Sequence, residues 1–146
     1  MIFKLFLQYE SLLILNRDDV TNSDSIYAFD MDDTMIETKS GKVFAQGRSD
    51  WKWLNDSVAP KLKQLHAEGK KLVIITNQSG INGKSGYDST KERDICGKIE
   101  DVIAAVGVPM LALVATSDDR FSINSFFLFF LSFFLHFIHD FRKAPN

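Results

Sequence analysis

Apolar runs and polar clusters alternate along the chain at spacings that predict strand, helix, strand, helix, strand. The first main run, Ile26-Tyr27-Ala28-Phe29, leads into Asp30-Met31-Asp32-Asp33-Thr34. Val58, Leu62, Leu65 and His66 then recur at helical spacing. Asp56 or Ser57 can cap that helix, Pro60 falls in its first turn and Gly69 stops it. Leu72-Val73-Ile74-Ile75 is a continuous aliphatic run, typical of a strand buried on both faces, and it ends at Thr76-Asn77-Gln78-Ser79-Gly80. A second helix is predicted from Ser89 or Thr90 to Gly107, with Ile95, Ile99, Val102, Ile103 and Val106 on one face. Residues 110–115 (MLALVA) make a third strand before Thr116-Ser117-Asp118-Asp119. Ahead of this unit, residues 11–15 (SLLIL) and the polar turn Asn16-Arg17-Asp18-Asp19 predict an antiparallel strand. Residues 1–7 have Lys4 inside a short apolar stretch, which predicts a strand or a loose extension rather than a signal peptide.

This order implies an α/β domain with a mainly parallel sheet and right-handed crossovers. Ligands of such sheets bind outside the carboxyl ends of the strands. Asp30, Asp32, Thr34, Thr76 and Asn77 all map there. Residues i and i+2 of a strand point to one side, so Asp30 and Asp32 can face one site. Their charges repel unless a cation such as Mg²⁺ lies between them or one holds a proton. One carboxylate can then be a nucleophile and the other an acid/base. An Asp-rich turn is the alternative on spacing alone; the second polar cluster at Thr76-Asn77 favours a site.

Composition narrows the classes. The 146 residues suit one domain, and a net charge of −2 lacks the overall basic footprint of many nucleic-acid binders, although a local basic groove remains compatible with it. The single cysteine, Cys96, supports no disulfide framework or cysteine-rich zinc site and reads as a helix residue rather than a catalytic thiol. His66 reads as a helix-surface residue rather than a ligand. The run Gln78-Ser79-Gly80-Ile81-Asn82-Gly83-Lys84-Ser85 nearly spells a P-loop, but glutamine stands where the first glycine is required. Ser40-Gly41-Lys42 is turn chemistry within a stretch that could form a flap over the Asp pair. Trp51 and Trp53 could stack on a base; packing of their loop on the domain is the favoured reading.

Asp30-Met31-Asp32-Asp33-Thr34 and Thr76-Asn77 after an apolar strand together resemble the haloacid dehalogenase superfamily, whose first motif is Asp-x-Asp-x-Thr. That pattern usually has glycine where this chain has Asp33, which adds a negative charge beside the site. Thr38-Lys39-Ser40-Gly41-Lys42-Val43-Phe44, Asp50-Trp51, residues 72–81 (LVIITNQSGI), Gly97-Lys98-Ile99-Glu100 and Gly107-Val108-Pro109 extend the resemblance to the polynucleotide kinase 3′-phosphatase family, over residues 11–121. The resemblance implies a Rossmannoid three-layer α/β fold with a mainly parallel sheet. It implies Mg²⁺-dependent removal of 3′-phosphate from DNA ends in strand-break repair, a nuclear location, a monomer, possible contacts with repair proteins and no membrane partner. By the same resemblance, Asp30 attacks phosphorus and forms an aspartyl-phosphate. Asp32 serves as acid and then base, and the Asp30 carboxylate with the Asp32 backbone carbonyl holds the Mg²⁺. Thr76 binds phosphate oxygens, and Thr34, Asn77 and Gln78 contact the substrate.

The resemblance breaks after Phe121. The family's Arg-Lys-Pro motif should follow there, but Arg142-Lys143-Ala144-Pro145-Asn146 lies about twenty residues further on, with Lys143 the candidate for its lysine. Nine of the 13 phenylalanines fall between Phe121 and Phe141. A transmembrane helix, a core element and an insertion foreign to the domain compete for this run, and the insertion is favoured. The expected organisation is an extension over residues 1–10, a partial phosphatase domain over 11–121, an insertion over 122–141 and a motif remnant over 142–146. A fold incomplete at its C-terminus, without the superfamily's fourth acidic motif, is expected to turn over severely slowly. A small-molecule phosphomonoesterase of the same superfamily and a non-catalytic fragment or membrane-tethered interaction protein are the alternatives.

Overall fold

The computed structural model describes residues 4–5 and 11–117. The central sheet contains β1 (Lys4–Leu5), β2 (Leu12–Asn16), β3 (Ile26–Asp30), β6 (Lys71–Asn77) and β9 (Leu111–Ala115), in the order β1-β2-β9-β6-β3. Strands β3, β6 and β9 are mutually parallel, with Phe29 opposite Ile74 and Ile74 opposite Ala112. β2 is antiparallel, as predicted, and lies on the outer side of β9, a neighbour the sequence did not indicate; β1 pairs antiparallel with β2. Within the expected extension, Lys4–Leu5 therefore contributes a short strand to the sheet.

Helix α1 (Val58–Ala67) connects β3 to β6, and α2 (Ser89–Val106) connects β6 to β9. Both crossovers step across the sheet in one direction. Because each is right-handed, both helices lie on the same face. Among the described residues the fold is thus two layers, the sheet and one helical layer. Val58, Leu62 and Leu65 of α1 and Ile99, Val102, Ile103 and Val106 of α2 pack with Leu72, Ile74, Ala112 and Val114 in the main core. Ala28, Val73 and Ile75 form a smaller cluster on the other face. The continuous aliphatic run of β6 is buried on both faces, as its sequence predicts.

The helix ends follow local chemistry. Gly107 adopts φ 80 at the end of α2, the left-handed conformation that costs glycine least. Asp88 caps α2 by accepting from the Thr90 and Lys91 amides. The predicted α1 cap is corrected. Ser57 occupies the position but is itself helical and makes no side-chain cap bond. Its N–H and hydroxyl instead both donate to Asn55 Oδ1, so Asn55 organises the turn into the helix.

Ile74 is fully buried at the centre of the parallel strands. Ile74→Ala is expected to destabilise the fold by about 2–5 kcal/mol. Urea unfolding should show a lower midpoint with an unchanged slope. The same change at Ile26, which is 55% exposed, should shift stability by roughly 0.5 kcal/mol or less.

Candidate active site

β3 ends on Asp30 and the chain turns back at once. The amides of Met35 and Ile36 both donate to the Met31 carbonyl, and the Asp33 amide donates to Ile36 O at 2.8 Å. This tight turn places Asp33 at φ 58, the sole positive φ at a non-glycine position among the described residues. Asp tolerates this region better than bulky residues do, and glycine best of all. The motif's usual glycine at this position thus has a backbone reason. Met31 is fully buried in the core, between Asp30, the last residue of β3, and Asp32 in the turn beyond it. The two carboxylates lie near enough for the Asp32 charge to act on Asp30.

Burial pushes the Asp30 carboxyl up to about 6, and the neighbouring Asp32 charge adds to the effect. The Met31 amide and the Thr34 hydroxyl oppose it, and the Asp33 charge adds slightly. Thr34 Oγ1 donates to Asp30 Oδ2 at 3.3 Å, so Thr34 braces the carboxylate. Asp32 is held at both oxygens. Gln78 Nε2 donates to Oδ2 at 2.7 Å, and Lys98 Nζ donates to Oδ1 at 3.3 Å. Gln78 Nε2 also lies 2.9 Å from Thr76 Oγ1. Thr76 is 2% exposed, beneath Gln78. A single hydrogen-bonded group therefore links Thr76 and Gln78, at the carboxyl end of β6, to Asp32 beyond β3. Asn77 is the exposed last residue of β6. Lys143, the remaining predicted site residue, and the Phe-rich run lie outside the described residues.

Two aspartates present hard oxygen donors, and a divalent cation would favour the charged form of Asp30, which burial first and the Asp32 charge second disfavour. Mg²⁺ commonly takes one or two carboxylates and completes its shell with water and phosphate oxygens, so these residues fit it. Among the described residues no third His, Cys, Asp or Glu joins them in a metal-holding group.

A flap borders the pair. β4 (Ile36–Glu37) and β5 (Lys52–Trp53) pair antiparallel and carry a long loop between them. Asp50 shapes that loop by accepting from the Gln46 amide at 2.7 Å and from Ser40 through both its amide and its hydroxyl. These donors, led by the Gln46 amide, hold the Asp50 carboxyl below its ordinary range. Arg48 ties the loop to α2 through two 2.7 Å bonds to Asp101. Its guanidinium crosses bare backbone at Gly97, where a Cβ would lie 2.7 Å from Arg48. Trp51 and Trp53 meet edge to face at 5.3 Å and pack against the core, the structural role favoured for them. The near-P-loop segment forms a small hairpin, β7 (Asn82–Gly83) with β8 (Gly86–Tyr87), rather than a phosphate-cradling helix start. Burial pushes the Cys96 thiol up to about 11, which keeps it protonated and unreactive.

Lys98 was missed as a site residue when the chain was read by motif. It sits on the α2 stripe one turn before Val102 and is 5% exposed. A lysine at a core-facing helical position, next to a glycine, is the signal that could have found it.

The chain matches the family described as Polynucleotide kinase 3 phosphatase over residues 25–143. It is 36% identical over 112 residues to a bifunctional polynucleotide phosphatase/kinase of Schizosaccharomyces pombe, covering 77% of this chain and 26% of that protein. It is 33% identical over 108 residues to polynucleotide 3′-phosphatase ZDP of Arabidopsis thaliana, covering 73% of this chain and 15% of that one. A 20.8 kDa protein of Autographa californica nuclear polyhedrosis virus is 34% identical over 114 residues, covering 78% of this chain and 59% of the viral protein. The chain thus spans from about a seventh to about three fifths of these relatives' lengths. The fold resembles that of a HAD-like phosphatase from Mesorhizobium loti, with a TM-score of 0.56 at 16% identity, over 77% of this chain and 53% of that one. With the Asp pair at the end of the first parallel strand, the Thr-Asn-Gln cluster on the second and a match running through most of the chain, this protein belongs to the polynucleotide kinase 3 phosphatase family.

Proposed function

We propose that this domain removes 3′-phosphate from DNA ends in strand-break repair, by way of a phosphoenzyme on Asp30. The observation that carries the reading is the hydrogen-bonded group of Asp32, Gln78 and Thr76 beside the partly buried Asp30. An Asp30 oxygen attacks phosphorus while the bond from phosphorus to the 3′-oxygen breaks. Asp32 gives its proton to that leaving oxygen. Asp32 then takes a proton from water as the water attacks the aspartyl-phosphate, which releases inorganic phosphate and restores the Asp30 carboxylate. Thr34 steadies the nucleophile, and Thr76, Asn77 and Gln78 form the phosphate-facing edge. Lys143 supplies the lysine that stabilises the nucleophile and the phosphate. Asp30 and Asp32 would hold Mg²⁺, which supplies charge neutralisation to the phosphate.

The flap favours a polymer end over a sugar phosphate. Val43 and Phe44 are 89% and 80% exposed at its tip, and Lys39 and Lys42 share the loop. An exposed aromatic beside lysines suits a terminal base and its backbone. A nuclear location follows from the repair role. No helix among the described residues is long and apolar enough to cross a membrane.

The test uses protein in excess over substrate, so that a single turnover is read. Release of phosphate from a 3′-phosphorylated oligonucleotide, dependent on Mg²⁺ and lost in EDTA, supports the reading. Equal or faster release from sugar phosphates overturns the polynucleotide assignment, and no release from any phosphomonoester overturns the phosphatase assignment. Phe44→Ala should raise the half-saturating oligonucleotide concentration roughly fivefold or more. Its rate on a small phosphomonoester should not change.

A further inference from the structure

We propose that Lys98 is the positioning residue for Asp32, a role reached through the helix layer rather than through the motifs at the strand ends. This inference rests on the phosphatase reading above. Two observations and one physical rule carry it. Lys98 is 5% exposed on α2, among Ile99, Val102 and Ile103 of the core-facing stripe. An ammonium taken out of water is strongly unfavourable unless it is paired. Lys98 Nζ pairs with Asp32 Oδ1 at 3.3 Å, across 66 residues of sequence.

The geometry explains why a lysine stands at an otherwise apolar position. Asp32 follows the last residue of β3, in a tight turn, and its side chain is 47% exposed. A carboxylate on such a turn has several rotamers open to it. Gln78 fixes Oδ2 from the neighbouring strand at 2.7 Å. Lys98 fixes Oδ1 from the helix layer. With both oxygens held, the carboxylate plane has one orientation and its exposed edge faces the site. Supporting groups of this kind hold a reacting group in productive geometry without touching the substrate. The preceding residue, Gly97, underlies the Arg48 anchor of the flap. One turn of α2 therefore bears on the flap through its outer side and on Asp32 through its inner side.

The test compares the full chain with Lys98→Met, which keeps the length and apolar stem but removes the ammonium. With excess protein and 3′-phosphorylated oligonucleotide, the saturating rate constant is expected to fall about 10- to 100-fold. The half-saturating concentration should move by about twofold or less. Lys98→Ala should behave likewise and regain rate when ethylamine is added. A Lys98→Met protein that is folded by circular dichroism and keeps the wild-type saturating rate overturns the proposal. So does a loss of thermal stability with no loss of rate. Should the wild-type chain release no phosphate from any substrate, the phosphatase reading falls. The placement of Asp32 is then decided by crystal structures. Asp32 swung out of position in Lys98→Met upholds the positioning role, and an unmoved Asp32 overturns it.

Discussion

Asp30→Asn should raise the thermal stability of the metal-free protein at neutral pH while abolishing phosphate release. Burial lifts the Asp30 carboxyl to about 6 in the fold, against an ordinary value of 3.8. The native state therefore holds this proton more tightly than the unfolded chain does. Between about pH 4 and pH 6 the unfolded chain loses the proton first, so stability falls as pH rises through that window. Above about pH 6 the penalty is complete, and two units correspond to about 3 kcal/mol. Asparagine has no charge to bury. In EDTA near about pH 7.5, Asp30→Asn should gain roughly 1–3 kcal/mol, and the gain should vanish near about pH 4. Calorimetric melts across this range check the claim, and an equal or lower melting temperature at neutral pH contradicts it. The rate should drop on the order of 10⁴-fold or more, because an amide cannot form the phosphoenzyme. A group whose replacement stabilises the fold and removes activity is one retained for chemistry.

Asp32→Asn should separate the two half-reactions. Its amide oxygen can still accept from Lys98, but the buried ammonium loses its counter-charge and the new amide N–H₂ meets the Gln78 donor, so the melting temperature should fall while the protein remains folded. What it loses is the proton for the 3′-oxygen and the base for the attacking water. Each is worth about 10²–10⁴-fold in rate. On oligonucleotide, phosphate release should fall by at least the lower of these. An aryl phosphate needs no proton on its leaving oxygen, so its first step should survive. The variant should then release about one equivalent of phenol per active site and stall with phosphate on Asp30. Intact mass measurement of the stalled protein reads the adduct directly. Steady turnover of the aryl phosphate by Asp32→Asn would show that Asp32 does not activate the water.

Much of this site was legible before any fold was known, because its signals are local. The spacing of Asp30 and Asp32 at the end of an apolar strand marked both as candidates for one site. The unbroken aliphatic run of β6 announced a strand buried on both faces, and Thr76 and Gln78 at its end announced a second contribution to the same edge. Asp33 was read only as an extra charge. That charge does act on Asp30, but its φ of 58 gives the deeper reason that glycine is usual there. The α1 cap was misassigned because several polar residues precede the helix, and which of them bonds is decided by loop geometry. Lys98 stayed hidden because a lysine in a charged helix reads as solvent-facing until the helix is docked.

The sequence alone determined the order of elements, the strand directions implied by βαβ crossovers and the pairing of two carboxylates in one turn. These depend on periodicities and turn preferences that act over a few residues. Tertiary structure decided the rest. It set β2 against β9, put both helices on one face, drew Arg48 across Gly97 and carried Lys98 to Asp32. Those contacts join residues distant along the chain, and they exist only where burial of the sheet and helix faces has fixed how the layers meet. The Asp pair was thus written locally, whereas the residues that orient it were selected by packing.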